Sequence, residues 1–136
     1  MNKFEILTKY IPMLQENRIG VWVIDRENDG TAEHPIQMPF VNYYEMVRQF
    51  INDVYTFEEQ NKDMELTLYR EILKVNGIEW GTDDLENVDV SDLNAQCVLA
   101  LVTGVVRAER FCDGVIFNFF KSGAMLKWLE RLDCLE

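Results

Sequence analysis

The run 91–114, SDLNAQCVLALVTGVVRAERFCDG, constrains this chain more than any other stretch. Leu93, Cys97, Val98, Leu99, Leu101, Val102, Val105 and Val106 would cover most of a helix circumference. A helix that is apolar nearly all round has no side to turn to water, so it belongs at the centre with other elements packed about it. Ser91 is the expected N-cap, its hydroxyl accepting from a free N–H of the first turn. The run ends in a dense charged cluster, 107–114.

Such a core needs a chain long enough to surround it, and 136 residues suffice for one domain spanning 1–136 without staples. Hydrophobic residues make up 48%, which argues against disorder. No apolar run approaches the roughly 20 residues of a membrane span. The opening MNKFEILTKYIPMLQEN places charges and amides where a signal sequence needs apolar residues, so secretion is not expected. Against 13 basic residues stand 24 acidic ones, a formal net charge of -11. That balance disfavours direct nucleic-acid binding, which needs a basic face, and it suits a protein partner with a basic surface. Cys97, Cys112 and Cys134 are an odd set without CxxC spacing, and His34 is the single histidine. A Cys/His zinc site is therefore not expected, and the thiols point to a cytoplasmic setting. Cys112 would be a nucleophile only if His34 folded beside it.

Around the central helix the pattern predicts further elements. Residues 2–15 have Phe4, Leu7, Tyr10, Ile11 and Leu14 at helical spacing, with Pro12 forcing a kink or an end near Tyr10. Residues 20–24 (GVWVI) read as a strand, and 36–40 (IQMPF) as its antiparallel partner, held to an edge by Pro39. Between them Asp25, Glu27, Asp29 and Gly30 fall on calcium-loop positions, but Ile36 stands where a bidentate Glu is required. A hairpin turn is favoured there, and no metal is expected. Helices are predicted over 42–60, with Tyr43, Val47, Phe50, Ile51, Val54 and Phe57 on one face, and over 63–75, stopped by Gly77. An acidic connector, 79–92, is pinned by Trp80 and Leu85. Beyond the centre come a short helix over 113–121, a break at Ser122-Gly123, and a last helix over 124–132.

The candidate site is the cluster 107–114. Arg107 and Arg110, three residues apart, share one side of a helix end where positive charge gains about 0.3–1 kcal/mol. Asp113 lies within reach of Arg110 and is suited to cap the next helix, while Phe111 would anchor the turn in the core. One reading makes every charge part of the fold, because ion-pair networks commonly hold helix corners. The other gathers Arg107 and Arg110 beside free N–H groups as a pocket for a phosphate or carboxylate, with Glu109 or Asp113 orienting a water. No P-loop, dinucleotide fingerprint, HExxH or GxSxG is present.

The pattern Val106-Arg107-Ala-Glu109-Arg110-Phe111-Cys-Asp113-Gly114, followed by Ser122-Gly123 and Leu129-Glu-Arg131-Leu132, resembles a family of short bacterial and phage proteins known as a domain of unknown function. Its signature is R-x-E/D-R-F-x-E/D-G. The resemblance implies a bacterial or mobile-element origin and one small domain, and it brings no activity with it.

The chain is therefore expected to be α+β, a predominantly helical single domain with a buried central helix and a small two-stranded antiparallel ribbon. A non-enzymatic interaction or regulatory role in the cytoplasm, without a cofactor, leads. A small-anion binder or enzyme at Arg107, Glu109, Arg110 and Asp113 is the first alternative. An acidic nucleic-acid mimic of phage origin is the second, and a homo-oligomer is compatible with all three.

Overall fold

The computed structural model describes residues 3–16, 19–23, 31, 40–81 and 85–135. In order it contains α1 (Glu5–Thr8), α2 (Ile11–Gln15), β1 (Gly20–Val23), β2 (Phe40–Tyr43), α3 (Glu45–Gln60), α4 (Tyr69–Val75), α5 (Ala95–Ala108), α6 (Val115–Lys121) and α7 (Ala124–Cys134). Short 3-10 turns lie at Lys62–Met64, Leu66–Leu68 and Leu85–Asn87. The result is the predominantly helical α+β arrangement anticipated from the pattern, with a single two-stranded sheet among the described residues.

Every residue of α5 from 97 to 106 is buried, including Thr103 and Gly104. Helices α3, α4, α6 and α7 all pack against it, and α1 and α2 close the far side by leaning on α7. Each surrounding helix needs one apolar stripe; only the central one needs a full circumference. On α3 the stripe is Val47, Phe50, Val54 and Phe57; on α7 it is Met125, Trp128, Leu129 and Leu132.

Several expectations change in the structure. The cap of α5 is Asn94, whose side chain accepts the Cys97 N–H at 2.8 Å. Ser91 instead gives its N–H and hydroxyl to Asp89, at 3.0 and 2.6 Å, in the turn that buries Val90. The opening helix is two pieces, and Pro12 sits in the first turn of α2, where its missing N–H is no loss. Tyr10 is buried between them and donates to Asp53 of α3, which also pairs with Lys9 at 3.1 Å.

The partner of β1 is 40–43, in the register Gly20↔Tyr43, Val21↔Asn42, Trp22↔Val41 and Val23↔Phe40. Tyr43 thus belongs to the ribbon and not to the helix, because strand pairing outweighs a helical period that its side chain happens to satisfy. Residues 24–30 and 32–39, with the hairpin turn, the calcium-loop comparison and His34, lie outside the described residues. The predicted 63–75 helix is interrupted by Glu65, left-handed at φ 53°. The break lets Leu66 reach the core, and Gln96 donates to the Met64 carbonyl at 2.8 Å to hold it.

Candidate functional site

All four residues singled out in the sequence lie where α5 ends and α6 begins; Glu109 and Asp113 hold the corner itself, and Arg107 and Arg110 turn to α3. Glu109 is the terminal cap residue of α5, and its carboxylate turns toward the start of α6. Oε2 accepts the Gly114 N–H at 2.9 Å, while Oε1 accepts the Ile116 N–H at 2.8 Å and the Tyr43 hydroxyl at 2.7 Å. The Tyr43 oxygen in turn accepts the Phe117 N–H at 3.1 Å. Free N–H groups at a helix start need acceptors, and here a residue of the preceding helix and a strand tyrosine supply them. Asp113, expected in that role, accepts the Val41 N–H at 2.8 Å and ties the ribbon to the corner.

Gly114 sits at φ 96°, a conformation open to glycine at little cost. A Cβ there would lie 2.6 Å from Trp22, whose indole also meets Phe117 edge-on at 6.1 Å. The ribbon is therefore docked by three contacts on one corner: Trp22 on Gly114, Asp113 on Val41 and Tyr43 on Glu109.

Burial pushes the Glu109 carboxyl above the usual carboxylate range; the Ile116, Gly114 and Tyr43 bonds oppose this, and the neighbouring Asp113 adds to it. Burial, then the bond to Glu109, holds the Tyr43 phenol well above its ordinary range, so it stays a donor even in alkaline solution where an exposed phenol ionises.

The arginines leave this corner for α3. Arg107 Nη2 donates to Glu58 Oε1 at 2.6 Å, with side chains 28% and 14% exposed. Arg110 lays its guanidinium 4.9 Å from the centre of the Tyr55 ring. Tyr55 and Glu58, three residues apart on α3, thus receive the two cations one each. Arg110 does not pair with Asp113. Three buried polar atoms in this group have no hydrogen-bond partner among the described residues: Arg107 Nε, Glu58 Oε2 and the Tyr55 hydroxyl.

Phe111, expected to anchor the turn, is 91% exposed. After α5 the chain tightens into a turn in which the Phe111 and Cys112 N–H groups both donate to the Ala108 carbonyl at 3.0 Å. Tyr43, Val41, Trp22, Tyr55 and Glu58 all come from elsewhere in the chain. The one sequence hint was Glu58, a carboxylate beside the buried Phe57 and four residues after Val54.

Among the described residues no group of three or more His, Cys, Asp or Glu could hold a metal ion. No described helix is long and apolar enough to cross a membrane.

The fold and corner define a small helical domain with a ribbon clamped to the end of its central helix. The chain belongs to the family of unknown function DUF6508, whose model matches residues 1–136. No curated protein and no solved structure matches it.

Proposed function

We propose that this chain is a non-enzymatic interaction module of the bacterial cytoplasm that docks a protein partner with a basic surface. Phe111 carries the reading. It is 91% exposed at the tip of a turn whose charged side chains already have partners within the fold. A large aromatic held outward on a fixed backbone is the kind of anchor that dominates interfaces. Trp22, lying on Gly114 three residues further along the chain, is itself 38% exposed, and Val21 and Val23 of the same strand are open to solvent. The net charge of -11 supplies long-range attraction for a basic partner and little for nucleic acid.

The test is capture from a bacterial lysate at low salt, identification and purification of what is retained, and measurement of its affinity. Phe111→Ser should weaken the complex by about 2 kcal/mol or more while leaving the melting temperature in place. Affinity should also fall with added salt. An acidic partner, or binding indifferent to Phe111→Ser, overturns the proposal, and so does self-association abolished by that substitution. A partner that releases DNA on binding this chain would narrow the reading to nucleic-acid imitation.

The small-anion alternative is favoured by one observation, the buried Arg107 Nε, which has no partner among the described residues. An anion there would have to share or displace Glu58, which already holds Nη2. A panel of phosphates and carboxylates tests it: a ligand that binds should raise the melting temperature by mass action.

A further inference from the structure

We infer a second, independent site: a cleft on α4 that takes a small anion carrying a flat ring. The cleft, about 520 Å³, lies between α4 and the segment that follows it, and Arg70, Lys74, Ile78 and Trp80 line it. Its size falls within the range of small-molecule sites, about 300–1,000 Å³.

Two features equip the cleft for a ligand, and the first does nothing for the fold. The first is its charge. Arg70 and Lys74 are four residues apart on α4 and therefore share a face, where like charges repel by about 0.2–0.5 kcal/mol. Lys74, in the last turn, gains something from the helix end; Arg70, a turn earlier, does not. Neither forms an ion pair among the described residues, in a chain with nearly twice as many acidic as basic side chains. Arg70 rests 5.9 Å from the Tyr69 ring centre, which leaves its fork free to bind. Glu79, at the rim, has an interaction of its own.

The second feature is the floor. Trp80 is seated on α5 at Gly104, where a Cβ would stand 2.5 Å from the indole. Tyr69 meets the same ring edge-on at 5.2 Å. A glycine within the most buried helix costs about 1 kcal/mol against alanine, and its effect here is to fix an aromatic ring that also lines the cleft. Gly77, two residues past α4, adopts φ 78° with open space about it, so the chain turns without closing the opening. A rigid aromatic surface beside two unpaired cations suits a ring for stacking and an attached phosphate or carboxylate for the cations.

The indole N–H resonances of Trp22, Trp80 and Trp128 give three separate probes. The folded chain is titrated with adenosine monophosphate, salicylate, adenosine and inorganic phosphate, each to the millimolar range. Adenosine monophosphate or salicylate should shift the Trp80 signal saturably while Trp128, buried in the core, stays still as a folding control. Phenyl phosphate against benzoate, which carry the same ring, then assigns the anion as phosphate or carboxylate. Arg70→Gln with Lys74→Gln, both at exposed positions, should weaken binding by about tenfold or more. The inference fails if neither ring-bearing anion moves Trp80 or if the double variant binds as well as the parent. It also fails if adenosine or phosphate alone binds as tightly as the combined molecule. None of these residues belongs to the proposed docking surface, so Phe111→Ser should leave this binding unchanged.

Discussion

Replacing Arg107 with methionine would measure whether that guanidinium belongs to the fold. The substitution keeps most of the apolar stem and deletes the donor that meets Glu58 Oε1 at 2.6 Å. Glu58, only 14% exposed, is then left as a nearly buried carboxylate without a cation. Breaking a buried pair from one side costs about 3–5 kcal/mol. Arg107 retains 28% exposure, so water reaches the pair and screens it, and we expect about 2–3 kcal/mol. For a chain of this length that lowers the melting temperature by about 6–12 °C. Removing both charges, as Glu58→Leu with Arg107→Met, should return stability to within about 1 kcal/mol of the parent. The assay is urea unfolding followed by far-UV circular dichroism for the parent, both single variants and the double variant, closed as a cycle. Single variants within about 0.5 kcal/mol of the parent, or a coupling below that value, would refute the argument and make the contact an ordinary surface pair.

Three further outcomes follow from the same geometry. Gly104→Ala gains about 1 kcal/mol of helix propensity but drives a methyl into the Trp80 ring at 2.5 Å, costing about 1–3 kcal/mol. A net loss with a changed Trp80 environment is expected on chemical denaturation, and a gain would show the indole to be loosely held. Tyr43→Phe strips the hydroxyl that joins Glu109 to the Phe117 N–H and should cost about 1–3 kcal/mol; an unchanged urea midpoint would show that the link does not matter. Glu109 has a folded-state pKa above its ordinary 4.5, so the folded chain holds that proton more tightly than the unfolded one. Its contribution to stability is therefore lowest at neutral pH, rises as pH falls through the folded-state pKa, and is complete below 4.5. Glu109→Gln should remove that rise, and parallel stability–pH curves for parent and variant would exclude it.

The central helix was legible because an unbroken apolar circumference has one stable location, and residues 97–106 are indeed buried. The apolar faces of α3 and α7 were legible for the related reason that one stripe per helix is a local, periodic property. Tyr43 was misplaced because its spacing fits both a helix face and a strand, and only pairing with Gly20 decides between them. The cap of α5 is Asn94 and not Ser91 because the helix begins at Ala95, and Ser91 belongs to the preceding turn, bonded to Asp89.

The four corner residues were found as a cluster, but their partners were not. Arg107, Glu109, Arg110 and Asp113 are neighbours in sequence, and charge alone suggested that they would serve one another. Glu58, Tyr55, Tyr43 and Val41 claim them one by one across separations that no local pattern encodes. Phe111 stands in solvent, and the aromatic that covers Gly114 is Trp22 of the ribbon. By itself, then, the sequence determined which segments must be buried, because hydrophobic periodicity is written residue by residue. The tertiary structure alone decided which charged group meets which, because an ion pair or a cap depends on the packing angle between elements far apart in the chain.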